Sequence, residues 1–167
     1  MDWALRDTLK GVADAMLSAH DPWWIIGIAA AALHGASPIR VAEVDVLVSA
    51  RDAKCIARAI GVESAGKSVS DRFLFDFFAT WHDNPLPVSL MSGIRVYNKD
   101  IWESVIFQQR VPIRVEHATL YVPSVIEVLG TLTAFGRSKD VYAVDALLCQ
   151  IHNGRNVEHE YSDGSPI

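Results

Sequence analysis

The segment Ile25–Val48, IIGIAAAALHGASPIRVAEVDVLV, contains the pattern that decides the fold. A short apolar run ends at Gly27, and the alanine-rich residues 29–33 that follow predict a short helix before Gly35. The valine-rich residues 41–48 predict a second strand. The segment therefore predicts a strand, a helix and a strand in close succession, with a glycine at the first junction.

Two acidic side chains share one face of the second predicted strand. Residues i and i+2 of a strand point the same way, so Glu43 and Asp45 project together while Val44, Val46 and Val48 face the core. Carboxylates are ligands for Mg²⁺, and the amide groups at a helix start suit a phosphate. The spacing therefore indicates a site for a cation and a phosphate, although a solvated strand face has the same spacing.

Hydrophobic periodicity and turn residues predict the other elements. Helical spacing predicts helices over residues 3–19, 50–60, 100–109, 124–135 and 140–151. Residues rich in β-formers predict strands over 23–26, 72–81, 86–91, 111–115 and 119–122. This order predicts an α/β or α+β domain with a mixed sheet. We expect one domain over residues 1–153 and a polar, flexible tail over 154–167.

Composition excludes several classes of protein. The chain has 167 residues, is 50% hydrophobic and carries a formal net charge of −5, which argues against non-specific nucleic-acid binding. No apolar run reaches the roughly 18 to 20 residues that span a membrane. Cys55 and Cys149 form neither a metal-type nor a redox-type pair, and both lie in apolar helical surroundings. We therefore expect a cytoplasmic protein whose cysteines are buried free thiols.

The ordered pattern resembles the minimal nucleotidyltransferases, close to the MNT and AbiEii-type branch. Members read Gly-Gly or Gly-Ser at the strand end, then an Ala and Leu-His-Gly, then an Arg-x-Thr-x-Asp-x-Asp strand. The matching positions here are Gly27, Ala29, Leu33, His34, Gly35, Glu43 and Asp45. The segments LYVPSVIEVL (120–129) and GRSKD (136–140) resemble later segments of that branch. The resemblance covers roughly residues 23–150 and implies a mixed sheet flanked by helices with a helical C-terminal segment.

The resemblance also implies an activity and a set of functional residues. The activity is Mg²⁺-dependent transfer of a nucleotide from an NTP to a hydroxyl acceptor. Glu43 and Asp45 would hold the metal and act in catalysis, and Gly27, Ile28 and Lys139 would bind the nucleotide. Gly27 is equally explained by a tight turn, and Lys139 by a solvated surface.

This sequence departs from the family pattern in ways that predict a degenerate site. Ile28 replaces the second Gly or Ser of the turn and would crowd a phosphate, and Glu43 replaces the first Asp. Ser89 stands where the family has its third carboxylate, and Arg40 lies one position from the family's arginine. Loss of a general base lowers a rate by roughly 10² to 10⁴. Asp76, on a neighbouring predicted strand, is a candidate replacement acid.

Three functional classes stay open at this point. The first is an active nucleotidyltransferase. The second is an inactive nucleotide-binding or protein-interaction module, such as one half of a toxin–antitoxin-like pair or a homo-oligomer. The third is an unrelated α/β domain. Within any of them, His34 is predicted to bond the last carbonyls of its own helix rather than to act in catalysis.

Overall fold

The structure is a computed structural model that describes the backbone of residues 1–64 and 66–161, and their side chains except at residues 67, 68 and 154–161. The helices in these ranges are α1 (Trp3–Ala15), α2 (Gly27–Leu33), α3 (Ala50–Ala59), α4 (Val125–Phe135) and α5 (Ser138–Tyr161), with a 3-10 turn at Met16–Ser18. The strands are β1 (Trp24–Ile26), β2 (Val44–Leu47), β3 (Gly66–Val69), β4 (Phe73–Trp81), β5 (Val88–Ser92), β6 (Arg95–Asn98), β7 (Ile101–Ser104), β8 (Val111–Val115) and β9 (Ala118–Val122).

The described strands form a mixed sheet and a separate hairpin. The sheet has the order β1-β2-β5-β4-β6-β7, and β3 pairs with β4 beside this path. β2 and β5 are parallel, and the other pairs in the sheet are antiparallel. β8 and β9 form the hairpin, which lies against β1 and α1. The predicted mixed α+β architecture is confirmed.

The central strand β2 separates the hydrophobic core from the polar face of the sheet. Val44 and Val46 are fully buried, and Val48 is nearly so, in the core that α1, α2 and α3 cover. Asp45 points to the other face, where a smaller apolar cluster surrounds Met91. The alternation predicted for this strand is therefore confirmed. β2 is shorter than the strand predicted over residues 41–48. Its pairing with β5 begins at Val44, so Glu43 lies one residue before the strand.

The predicted helix over residues 100–109 is wrong. Ile101–Ser104 instead form β7, which pairs with Arg95–Asn98 at the edge of the sheet. The physical reason is the two-residue turn between these strands, in which Lys99 has φ of 46° and Asp100 has φ of 69°. Positive φ at both central residues gives a turn whose twist matches two antiparallel strands. The turn thus overrides a helical spacing of apolar residues.

The cysteines are exposed, contrary to the prediction. On α3, Ala53 and Ile56 face the core, so the intervening Cys55 points outward. On α5, Leu147 is fully buried and Cys149 lies on the outer surface. Apolar neighbours in sequence therefore did not indicate burial, because each helix buries one face.

The C-terminal helix continues past its predicted end at residue 151. Its backbone is helical to Tyr161. Residues 162–167 lie outside the described residues. The flexibility expected for residues 154–167 therefore stays a prediction. In the part of the chain that the structure describes, no helix is long and apolar enough to cross a membrane.

Candidate active site

Strand register and a glycine turn place Asp45 at the centre of the candidate site. On β1, Ile26 is opposite Asp45, and on β5, Ser89 is beside it. Gly27 follows β1 with φ of 67°, a left-handed conformation that favours glycine. A Cβ atom at Gly27 would lie 3.1 Å from Oδ2 of Asp45. Gly27 therefore makes the turn into α2 and also keeps the approach to the carboxylate open.

The turn between α4 and α5 brings two cations to the acids of β2. Gly136 ends α4 with φ of 58°, and Arg137 and Lys139 follow it. The Lys139 Nζ forms an ion pair with Oε1 of Glu43. The sequence resemblance placed Glu43, Asp45 and Lys139 in one site, and the structure brings these three residues together.

A buried aspartate fixes the position of Arg137. The guanidinium donates to both oxygens of Asp140 at 2.7 and 2.9 Å, and the Arg137 backbone N–H donates to the same carboxylate at 3.0 Å. Asp140 is fully buried. Burial by itself lowers the pKa of Arg137, but the hydrogen bonds and charge of Asp140 raise it overall. Arg137 therefore stays charged beside Asp45.

A cleft of about 420 Å³ opens beside Asp45, and we call it the charged cleft. Its lining residues in the described chain are Ile28, Arg40, Ala42, Glu43, Asp45, Arg137 and Lys139. Cationic side chains outnumber acidic ones in this lining, so the cleft suits an anion together with a cation. Sequence reasoning missed Arg137, although it lies inside the quoted GRSKD segment. In the sequence Arg40 lies one position from the family's arginine, but it precedes β2 in a loop, where strand alternation does not apply.

A second cavity of about 210 Å³ lies against the same carboxylates, and we call it the aromatic cavity. It shares Glu43, Asp45 and Arg137 with the charged cleft. Its other lining residues are Ile26, Phe73, Phe75, Phe78, Ser89, Met91, Ile94 and Phe135. Asp45 thus stands between a cleft of charged groups and a cavity of aromatic rings.

An irregularity in β4 creates this aromatic wall. Gly66 of β3 pairs with Phe78, whereas Ser68 pairs with Phe75, so three residues of β3 oppose four of β4. An extra residue in one strand shifts its alternation by one position. Phe75 and Phe78 therefore face the same cavity despite their odd spacing, and Asp76 turns away from it.

Ser89 occupies the position beside Asp45 without supplying a third carboxylate. Its side chain is buried and lines the aromatic cavity. Asp76 pairs with Arg95 and lines other grooves of the protein, so it does not replace the missing acid. Among the described residues, no cluster of three or more His, Cys, Asp or Glu side chains could hold a metal ion. Glu43 and Asp45 are therefore the two carboxylates that the described lining of the charged cleft offers to a cation.

Burial raises the pKa of Asp45 to about 7, and the nearby charge of Glu43 contributes to the increase. Arg137 and Lys139 act in the opposite direction but do not cancel the effect. Near neutral pH the carboxyl is therefore partly protonated. A cation that binds there must displace a proton, so cation binding should strengthen as the pH rises from 6 to 8.

Replacing Asp45 by asparagine is expected to stabilise the protein at alkaline pH. The wild-type carboxylate is ionised in both the folded and unfolded states above pH 7, so the cost of burying its charge is fully present there. The free energy of unfolding of Asp45→Asn should exceed that of wild type by about 1 to 3 kcal/mol at pH 8. This difference should fade as the pH falls from 7 towards 4, because the Asp45 carboxyl of the folded protein is then protonated and no charge is buried.

Urea denaturation at pH 8 and pH 5 measures this difference. Asp76→Asn is the matched control, because it removes an acid from an exposed ion pair and should change the free energy of unfolding by less than about 1 kcal/mol. A lower stability of Asp45→Asn at pH 8 would show that the Asp45 charge is favourable in the fold.

Ile28 in the first turn of α2 and His34, the C-cap after its last residue, have different roles. Ile28 is half-buried and lines the charged cleft, where its branched side chain occupies space next to any bound phosphate. The His34 backbone N–H bonds the carbonyl of Ala30 in its own helix at 3.0 Å, as predicted, but its side chain does not, because Nε2 donates to the carbonyl of Pro123 at 2.8 Å. His34 therefore links the end of α2 to the start of α4.

Comparison with known proteins identifies the fold. No protein-family model matches the chain, and no curated protein has a matching sequence. A Thermotoga maritima protein assigned to the nucleotidyltransferases superimposes with a TM-score of 0.67, at 19% identity over 86% of this chain and 91% of that chain. ANT(2'')-Ia in complex with adenylyl-2''-tobramycin has a TM-score of 0.57, at 11% identity over 92% of both chains. A nucleotidyltransferase-like antigen of Paracoccidioides brasiliensis has a TM-score of 0.55, at 14% identity over 86% of this chain and 75% of that chain. The chain therefore has a nucleotidyltransferase-like fold.

Proposed function

We propose that this protein binds a nucleoside triphosphate together with one divalent cation at Glu43 and Asp45, and transfers the nucleotide slowly to a hydroxyl. The observation that carries the proposal is the charged cleft, in which two carboxylates and the cations Lys139, Arg137 and Arg40 meet in a nucleotidyltransferase-like fold.

Each residue of the charged cleft has a distinct task in this proposal. Glu43 and Asp45 supply oxygen ligands for Mg²⁺, which when bound screens the phosphates and polarises the phosphorus–oxygen bond that breaks. Lys139 exchanges its ion pair with Glu43 for a contact with phosphate oxygens. Arg137 and Arg40 add positive charge along the triphosphate. Gly27 leaves room for the substrate next to Asp45.

The transfer is an in-line displacement at the α-phosphorus. The hydroxyl oxygen of the acceptor forms a bond to this phosphorus, and the bond to the bridging oxygen breaks. Pyrophosphate leaves with the electron pair of that bond. The proton of the acceptor passes to the Asp45 carboxylate, which lines both the charged cleft and the aromatic cavity.

Ser89 limits the rate of this reaction. A serine hydroxyl neither binds a second cation strongly nor accepts the proton of the acceptor at neutral pH. Activation of the nucleophile therefore depends on Asp45 alone, which also holds the cation. We expect binding of the nucleotide to be retained more fully than its transfer.

A second candidate function is an inactive nucleotide-binding module that acts through a protein partner. The observation that favours it is the outer surface of α5, where Tyr142 is 74% exposed and Val141 and Leu148 also face outward. Exposed apolar groups of this kind suit a partner surface. The partner would be a second copy of the chain or the other half of a toxin–antitoxin-like pair.

Isothermal titration of ATP, GTP, CTP and UTP with and without Mg²⁺ tests the proposal. Wild type should bind at least one nucleotide in a Mg²⁺-dependent manner, and Asp45→Asn should bind it at least tenfold more weakly, because a neutral amide is a poor Mg²⁺ ligand. Asp76→Asn should bind like wild type, since Asp76 lies in an ion pair outside the cleft. Absence of binding by all four nucleotides, or equal affinity of wild type and Asp45→Asn, would contradict the proposal.

A further inference from the structure

We infer that the aromatic cavity binds the acceptor of the transfer, and that this acceptor is a small uncharged molecule with one aromatic or branched aliphatic group and a hydroxyl. The inference deepens the proposed function, because the acceptor matters only if a nucleotide binds in the charged cleft. It rests on the chemistry of the cavity wall, on its position beside Asp45 and on its volume.

The wall of the cavity is apolar and incompletely covered. Phe73, Phe75 and Phe78 are only half-buried, although phenylalanine gains free energy from full burial. The Phe75 and Phe78 rings lie 5.3 Å apart, and the Phe73 and Phe135 rings meet edge to face at 5.1 Å. These contacts hold the rings in place while leaving their cavity side uncovered. An apolar ligand would remove that surface from water.

The cavity shares Asp45 with the charged cleft but lacks two of the groups that would hold phosphates. Arg40 and Lys139 line the charged cleft and not the aromatic cavity, whereas Asp45 lines both. A hydroxyl carried by a ligand in the cavity therefore meets the Asp45 carboxylate next to the α-phosphate. Its oxygen bonds to the phosphorus, pyrophosphate leaves, and its proton passes to Asp45.

The nucleobase is the other flat group that this cavity could receive, and the lining argues against it. Base edges carry several donors and acceptors, and leaving them unpaired in an apolar site is costly. In the described lining of the cavity, Ser89, Arg137 and the two carboxylates supply the polar side chains, and all of these except Ser89 are shared with the charged cleft.

A larger groove supplies a better place for the nucleoside. This groove of about 890 Å³ shares Arg40 and Ala42 with the charged cleft. It is lined by polar groups that include Asp2 and Ser37. A nucleotide with its phosphates in the charged cleft can therefore extend into this groove and leave the aromatic cavity to the acceptor.

The volume of the cavity limits the size of the acceptor. About 210 Å³ accommodates a single six-membered ring with a short substituent. The cavity also disfavours a cationic aminosugar once a cation holds Glu43 and Asp45, because the other described lining residues offer no carboxylate to its ammonium groups.

Fluorine NMR titration of para-fluorobenzyl alcohol into the protein without nucleotide tests the inference. We expect saturable binding with a Kd on the order of a millimolar, as is usual for so small a ligand. Phe75→Trp and Ile94→Phe, which add volume from different walls, should each weaken binding at least tenfold. Leu74→Trp is the matched control, because Leu74 precedes Phe75 in β4 but does not line the cavity, and it should bind within twofold of wild type.

Three results would overturn the inference. They are the absence of saturable binding to wild type, equal weakening by Leu74→Trp and Phe75→Trp, and displacement of the alcohol by adenosine. Because the titration contains no nucleotide, these results leave the Mg²⁺–nucleotide titrations unaffected. Binding of the alcohol by a protein that fails those titrations would instead refute the proposed function and keep the cavity as an apolar ligand site.

Discussion

Ser89→Asp is expected to raise the Mg²⁺-dependent release of pyrophosphate from a bound NTP by about 10² to 10⁴. The new carboxylate would lie directly beside Asp45, since these positions are neighbours on the parallel strands β2 and β5. It would provide the ligand for a second cation and a base for the attacking hydroxyl or water. The substitution therefore converts a site for one cation into a site for two.

Two measurements check this result without knowledge of the acceptor. Pyrophosphate release is followed with water as the acceptor, and the number of Mn²⁺ ions bound per protein with nucleotide present is counted by titration. Ser89→Asn is the matched control, since it has the same size without the charge. Equal rates and equal cation numbers for the two variants would show that Ser89 does not stand at the third ligand position.

Asp140→Ala is expected to lower the free energy of unfolding by about 3 to 5 kcal/mol. Asp140 is fully buried and accepts two hydrogen bonds from the Arg137 guanidinium and one from its backbone. Its removal leaves the half-buried guanidinium without its anionic partner. Arg137 also packs 5.2 Å from the Phe135 ring, so its displacement would disturb both cavities.

Urea denaturation at pH 7 measures this loss. Asp21→Ala is the control, because Asp21 pairs with Arg51 at 2.7 Å in an exposed ion pair and its removal should cost less than about 1 kcal/mol. A loss for Asp140→Ala as small as that for Asp21→Ala would show that the buried pair with Arg137 contributes little to stability.

Local sequence patterns predicted those parts of the fold in which neighbouring residues decide the structure. The alternation of Val44, Asp45 and Val46 defined a strand with one polar position, and Gly27 and Gly136 marked the turns that carry the site. Such patterns are readable because each depends on the period of one element or on the φ of one residue. They failed at residues 100–109, where a turn with positive φ at Lys99 and Asp100 redirected the chain.

Placement of the remaining site residues depended on contacts between distant segments. The ion pair of Lys139 with Glu43 joins residues 96 positions apart. The irregular pairing of β3 with β4 turned Asp76 away and set Phe75 and Phe78 on one wall, which a regular period of two does not predict. The sequence resemblance thus named the acids and the lysine, but it named neither the role of Arg137 nor the aromatic cavity.

The sequence by itself determined a mixed α+β domain and the acidic pair Glu43 and Asp45, because strand alternation and glycine turns are local properties of the chain. Only the tertiary structure decided what surrounds these acids: the cations of the charged cleft, the aromatic cavity and the buried Asp140 beneath Arg137. The tertiary structure also decided the raised pKa of Asp45, because burial of the carboxyl is its main cause. Register, packing and desolvation depend on segments far apart in sequence, and they form only when the whole sheet is assembled.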